Sequence, residues 1–410
     1  MVFPKDYRLF QDVVAGITVG FIMIPQAMAF ALLAGVPPIY GLYGCFVPVI
    51  VFAFFASSPY LSIGPVSVIS IFILQQVQVW ADPFSPEFVE WVLLLGLMVG
   101  IIQLFIGIFR LSKYIEMLPK EIISGFIHAA VIIIAFSQLE AITTLKFSNE
   151  MNYLQIISNI VERYQEVHLF SLNLFLISIV LLFLVKMKFK YFPMALVLLL
   201  FTGILAYLGQ WQARGVQLIG EIPEGMPQWI SFDLSLNRWL SLFPTALGLS
   251  FLATVGSFIM GKTFEEDQPS PYSPNREVMA LGISKIVGVF FGALVPVGSF
   301  NRTLLNKASG AQTQIASLVA AAIVGLTLLF LTPYVYYLPM PVIAAIILFS
   351  VIFLIDYPYV KSLFVENKGK FIGFSITLLA TLFVGFSQGI LFGFLFSFVL
   401  KKIKFPSNSF

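Results

Sequence analysis

Arg302 stands between two hydrophobic stretches, within Pro296-Val297-Gly298-Ser299-Phe300-Asn301-Arg302-Thr303. A guanidinium does not shed its proton, so at membrane depth it must face protein, water or an anion. The turn before it is rich in Gly and Pro and leads into a short apolar run. That is the pattern of a broken helix whose positive N-terminal end points at something negative. Helix start and arginine act with the same sign, so the segment is a candidate anion site. The competing role is a structural arginine bonded to backbone carbonyls of neighbouring helices.

Other groups could complete such a site. The backbone N–H groups of Val66, Ser67 and Val68, and of Phe300 and Asn301, are donors without helical acceptors if helices start there. Gln26 follows Pro25 inside an apolar segment, where its amide can donate to an anion or satisfy backbone freed by the proline. Phe30 lies four residues on, on the same helix face, and could line a pocket or simply pack. Ser67, Ser299 and Asn301 read as ligands or helix caps, and Ser257 as a weaker candidate ligand. His128 reads as a packing histidine and His168 as a solvated one. The single cysteine, Cys45, sits in an apolar run as a small hydrophobe, so no disulfide or thiolate metal site is expected. No Gly-Lys-Ser/Thr phosphate loop is present, and no metal or cofactor is expected.

The elements that must position these residues follow from composition. Of 410 residues, 59% are hydrophobic and only 10% charged, with a mean hydropathy of +0.96. Soluble domains are about 25% charged, so too few polar residues remain here to cover a globular surface. Candidate membrane segments run near 13–33, 38–55, 66–78, 89–109, 121–139, 171–186, 192–208, 239–260, 278–294, 302–309, 312–332, 340–356, 370–387 and 388–401. Most approach the roughly 20 residues a bilayer requires. The third (66–78) and tenth (302–309) are too short, follow Gly/Pro turns, and each stands third in a half of seven. An odd number per half inverts the second half, and paired interrupted segments in inverted repeats point to a transport site. With both ends placed in the cytoplasm, 17 of the 23 Lys and Arg fall in cytoplasmic loops. Only Lys146, Arg163, Arg214 and Arg238 lie outside, and Lys285 and Arg302 lie within segments. The basic loops therefore read as topology and not as a nucleic-acid surface.

Three stretches resemble the SulP (sulfate permease) anion transporters, a solute-carrier family. Ile24-Pro25-Gln26-Ala27-Met28-Ala29-Phe30-Ala31-Leu32-Leu33-Ala34-Gly35-Val36-Pro37-Pro38-Ile39-Tyr40-Gly41-Leu42-Tyr43 is similar to the family's first two helices. Leu61-Ser62-Ile63-Gly64-Pro65-Val66-Ser67-Val68 resembles the approach to its third helix. Phe300-Asn301-Arg302-Thr303 with Gly310-Ala311-Gln312-Thr313 resembles its tenth-helix region, and Pro119–Phe126 and Asn275-Arg276-Glu277 add weaker matches. The resemblance covers nearly the whole chain. It implies an all-α membrane fold of about fourteen segments in two inverted repeats, with a core domain (helices one to four and eight to eleven) moving against a gate domain. On this division the core comprises residues 1–139 and 209–332, and the gate residues 140–208 and 333–410. The resemblance further implies substrate between the ends of helices three and ten, and a homodimer in the plasma or bacterial-type inner membrane.

Two departures stand out. The family often carries a coupling glutamate in helix eight, and here that position is Gly256 in Leu252-Ala253-Thr254-Val255-Gly256-Ser257. Family members commonly continue into a cytoplasmic STAS domain, whereas this chain stops at Phe410. The resulting expectation is a secondary transporter, not an enzyme, for sulfate, bicarbonate, chloride or dicarboxylate. With no acid in segments one, three, eight or ten except Asp12 at an edge, exchange, uncoupled flow or Na⁺ coupling is expected in preference to proton symport. The alternatives are a nucleobase transporter of the same architecture, which gains little from a fixed charge, and an uncoupled anion channel or electromotile membrane protein.

Overall fold

Long apolar runs in lipid satisfy their backbone groups internally, and helices do this without partners. In a computed structural model of the chain, the described residues are 9–112, 119–147, 153–188, 194–219, 225–263, 272–330 and 336–384, with 389, 392, 393 and 396. They form α1 (Leu9–Leu33), α2 (Pro38–Gly44), α3 (Val47–Phe55), α4 (Ser67–Val77), α5 (Pro86–Ile108), α6 (Lys120–Ser137), α7 (Leu139–Thr143), α8 (Tyr153–Glu162) and α9 (Leu169–Lys188). The chain continues through α10 (Met194–Leu208), α11 (Leu236–Thr263), α12 (Pro274–Val289), α13 (Phe300–Ala308), α14 (Ile315–Phe330), α15 (Met340–Ile352), α16 (Tyr357–Glu366) and α17 (Lys368–Phe383).

Among the described residues, six helical stretches are long and apolar enough to cross a membrane: α1, α2 with α3, α5, α6 with α7, α9 and most of α11. Ten to seventeen apolar residues make up α4, α14 and parts of α10 and α15. The expected segment 38–55 is two helices broken at Cys45–Phe46, because Pro48 suits the first turn of a new helix. Two further helices, α8 and α16, lie where no segment was expected. In α8, exposed Leu154, Ile157 and Val161 alternate with polar residues, a short two-faced pattern that a hydropathy reading passes over. The expected last segment, 388–401, lies almost wholly outside the described residues.

The chain divides into two compact units, 1–112 with 138–347, and 113–137 with 348–410. In the first unit, α1 packs on α14, where a Cβ on Gly16 would meet the Ala316 carbonyl and Val319, and one on Gly20 would meet Ile323 and Ala320. Small residues let membrane helices approach backbone to backbone, and packing then supplies the attraction that water-driven burial supplies elsewhere. The same device joins α5 to α12 through Gly96, Gly100, Gly107 and Gly282. In the second unit α6 lies against α17, with Gly125 at the Phe374 carbonyl. His128 Nδ1 is 2.7 Å from the Ser124 carbonyl and its ring stands edge-on to Phe374, the packing use expected of it.

The only strands among the described residues are β1 (Ile63–Gly64) and β2 (Val297–Gly298), paired antiparallel with Ile63 opposite Gly298 and Gly64 opposite Val297. Each runs into a short helix, β1 into α4 and β2 into α13. Antiparallel pairing makes these two helices start from opposite ends of the ribbon. At 1.5 Å per residue they reach about 16 and 14 Å, roughly half a hydrocarbon core of about 30 Å.

Candidate functional site

Non-helical backbone at membrane depth must find its hydrogen bonds inside the protein. The stretch from Ser57 to Pro65 does so residue by residue. The Ser57 and Ser58 N–H groups donate to Glu277 Oε2 at 2.6 and 3.0 Å, and the Ser57 hydroxyl donates to the same oxygen. Gln314 Nε2 donates to the Ser58 and Leu61 carbonyls at 2.7 and 3.1 Å. Asn306 Nδ2 donates to the Tyr60 carbonyl at 3.0 Å. The Ser62 N–H donates to Thr303 Oγ1, and its carbonyl accepts from the Ser299 N–H at 3.0 Å. The strand that delivers α4 is thus fastened by α12, α13 and the start of α14.

Arg302 closes the series. Its side chain is 1% exposed. Nη1 donates to Gln26 Oε1 and to the Pro65 carbonyl, each at 3.2 Å, and Nη2 also donates to Pro65 at 3.2 Å, while Nε has no partner. One guanidinium on α13 therefore ties α1 to the turn before α4. Gly64 makes room for it: a Cβ there would sit 2.9 Å from Cys45 Sγ and 3.1 Å from Arg302 Nη2, and its φ of +154° disfavours other residues. The structural role set out in the sequence is present, and it leaves the charge in place. The hydrogen bonds go to a carbonyl and an amide, both neutral, so they hold the arginine without cancelling its charge.

The candidate donors stand as follows. Val66 is the extended N-cap of α4, with φ −137° and ψ 146°, and Ser67, buried, is its first residue. Val68 follows in the first turn, half-buried. Ser299 is the extended N-cap of α13 and makes no side-chain cap bond. Phe300 begins α13, and its side chain lies outside the described residues; the Asn301 side chain is exposed. Gln26 is half-buried beside Arg302, and Phe30, one turn on, is buried. Ser257 is buried and its hydroxyl accepts from the Gly298 N–H at 3.3 Å, which ties α11 to β2. Gly256 faces open space, with only Met260 Cε at 4.0 Å from where its Cβ would be.

Two buried carboxylates hold backbone to which the sequence did not connect them. Asp12, read as an edge residue, is fully buried and accepts from the Gln312 N–H (2.7 Å), the Thr313 N–H (3.0 Å) and the Thr313 hydroxyl (2.5 Å). It caps the approach to α14 from 300 residues away. Glu277, named only for its Asn-Arg-Glu match, holds the Ser57–Ser58 turn. A sequence signal existed in each case, an acid beside an apolar run, but its partner is distant in the chain. No group of His, Cys, Asp or Glu able to hold a metal occurs among the described residues.

Comparisons with known proteins bear on the family and the fold. Residues 9–380 match the model of the sulfate permease family. Sulfate transporter 4.1, chloroplastic, of Arabidopsis thaliana is 34% identical over 405 residues, which cover 96% of this chain and 59% of that protein. The chain thus spans about three fifths of that relative's length. A solved structure of the murine solute carrier 26 family member A9 anion transporter, in the inward-facing state, superposes with a TM-score of 0.89 at 25% identity. It covers 98% of this chain and 70% of that one. The transmembrane domain of the cyanobacterial bicarbonate transporter BicA superposes with a TM-score of 0.81 at 22% identity, over 95% and 98% of the two chains, and bears on the fold alone.

Proposed function

The chain belongs to the sulfate permease family, and from that premise we propose that it carries small anions across a membrane by alternating access. The anion sits at the N-termini of α4 and α13. The observation that carries this reading is the pair of half-helices leaving one buried ribbon beside a buried guanidinium that no carboxylate among the described residues neutralises. First-turn N–H groups offer an oxyanion or halide donors that need no particular side chain, and the Arg302 charge adds field of the same sign. Gln26, Phe30, Ser67 and Ser299 line the same place in this reading. Ser257 serves it indirectly, through its bond to Gly298.

In the finer reading α4 and α13 are the paired short segments of two inverted repeats of seven, and a core moves against a gate. Both termini face the cytoplasm and the protein is a dimer. Family membership favours an anion over the nucleobase alternative. Gly256 offers no proton carrier, while Asp12 and Glu277 are committed to backbone. The test is uptake of radiolabelled sulfate into proteoliposomes, with bicarbonate, chloride and a dicarboxylate as competitors. Saturable uptake that at least one of them inhibits, and that anions loaded inside accelerate, is the expected result. No uptake of sulfate, bicarbonate, chloride or dicarboxylate by folded protein would refute the reading.

A further inference from the structure

Four formally charged side chains are buried among the described residues: Asp12, Glu277, Lys285 and Arg302. Asp12, Glu277 and Arg302 have the partners given above. Lys285 has none, since its Nζ meets no acceptor although the side chain is fully buried. An ammonium carries three donors, and a buried charge without a partner is among the least favourable groups a protein can hold.

The surroundings of Lys285 are set by helix packing. Gly96 of α5 lies against Val289, Gly100 against Lys285 Cβ and the Gly282 carbonyl, and Gly107 against Met279, so α5 and α12 run antiparallel. Helical side chains lean toward their own N-terminus. On antiparallel helices Lys285 therefore leans toward the level of Leu104 while Gln103 leans back toward Gly100, yet the amine and the amide oxygen do not pair, and each is left without a hydrogen-bond partner. Gln103 is also fully buried. Its Nε2 donates to Thr254 Oγ1 of α11 at 3.0 Å, and its Oε1 has no donor. The Thr254 hydroxyl passes its own proton to the Ser250 carbonyl, and three residues on Ser257 holds Gly298 of β2. Gln103, on the helix against which Lys285 packs, thus reaches α11, and α11 holds the strand that leads to Arg302.

Among the described residues no carboxylate faces it. Helix α5 has no ionisable side chain from Trp91 to Ile108, α3 has none, and α11 has none between Arg238 and Lys262. On α12 itself Arg276 and Glu277 lie more than two turns away, and Glu277 is held by Ser57 and Ser58. Nor is there room for an ion between α5 and α12, whose backbones touch at Gly100 and Gly282. A proton needs no room.

We propose that Lys285 is the proton-binding site of the transporter, taking a proton on Nζ when an anion occupies the half-helix site and releasing it when the anion leaves. The proposal rests on the anion-transport reading and deepens it. An anion at α4 and α13 brings the negative charge that an ammonium at Lys285 lacks, and by linkage the protonated amine tightens anion binding by the same factor. Arg302 cannot do this, because its charge is permanent. Coupling to a proton, disfavoured when only segments one, three, eight and ten are inspected, returns through α12. The proton comes from water, rests on the neutral amine, and goes back to water on the other side.

The test is calorimetric titration of the purified protein with sulfate, in buffers of different ionisation enthalpy, which reads protons taken up per anion bound. The wild type should take up protons on binding, about half a proton per sulfate at the maximum, and its Kd should weaken about tenfold from about pH 6 to about pH 9. Lys285→Arg, with a permanent charge, should bind sulfate with no proton uptake and no pH dependence. Lys285→Met, if it folds, should bind more weakly and also without proton uptake. Sulfate binding by the wild type with no proton uptake anywhere in that range would overturn the proposal and leave the transport reading standing. So would proton uptake that persists in either variant. Failure of sulfate, chloride and bicarbonate all to bind would overturn both.

Discussion

Replacing Arg302 separates its two jobs, because one depends on charge and the other on the shape of the fork. In Arg302→Gln the charge is lost. The Pro65 carbonyl, which accepts from Nη1 and Nη2 at 3.2 Å, heads the turn into α4, so an anion on the Val66–Val68 N–H groups lies within a few residues of the guanidinium. Taking that separation as roughly 8 Å and an effective dielectric of about 20, the attraction is about 2 kcal/mol per unit of anion charge, which is about thirtyfold in Kd for a monovalent anion and about a thousandfold for the sulfate dianion. The fork contributes separately. Three hydrogen bonds to Gln26 and Pro65 disappear, and a buried carbonyl left without donors costs about 1–3 kcal/mol, so the detergent-solubilised variant should also melt lower. Arg302→Lys keeps the charge but not the planar fork, so it should recover most of the affinity and little of the stability. The assay is sulfate binding alongside a thermal melt for all three proteins. Wild-type affinity in monodisperse Arg302→Gln would refute the field argument and leave a structural arginine. Wild-type stability in both variants would refute the clamp.

Asp12→Asn can keep the two N–H bonds that share Oδ1 but loses the charge and the Oδ2 acceptor of the Thr313 hydroxyl, so stability should fall by about 1–3 kcal/mol while the pH dependence of uptake stays that of the wild type; a changed pH profile would make Asp12 a proton carrier. Gly282→Ala drives a Cβ to 2.7 Å from the Leu104 backbone nitrogen and 2.8 Å from the Gly100 carbonyl, so it should destabilise by about 1–3 kcal/mol or more, whereas Gly256→Glu has space and should express and fold like the wild type. Equal melting temperatures for Gly282→Ala and the wild type would show that α5 and α12 can part without cost. For topology, an alkaline phosphatase fused after Phe410 should be inactive, since Lys and Arg concentrate on the side assigned to the cytoplasm; an active fusion would invert the assignment.

Composition and hydropathy sufficed for the helical membrane fold, because in lipid the backbone leaves few other solutions. The two short helices were legible as well, since Gly64-Pro65 and Gly298 interrupt apolar runs too short to span, and α4 and α13 begin within two residues of those positions. Arg302 declared itself through the cost of its charge. The partners of that charge did not, because Gln26 and Pro65 lie 276 and 237 residues away and nothing local specifies them. The same holds for Asp12 and Glu277, whose capped turns are 300 and 220 residues distant. Lys285 was visible as a lysine inside a segment, but only the antiparallel packing of α5 on α12 makes it buried and unpartnered against Gly100. Local sequence dictates which backbone must be helical and which charge is costly. Which distant groups meet that cost is decided by how the helices pack.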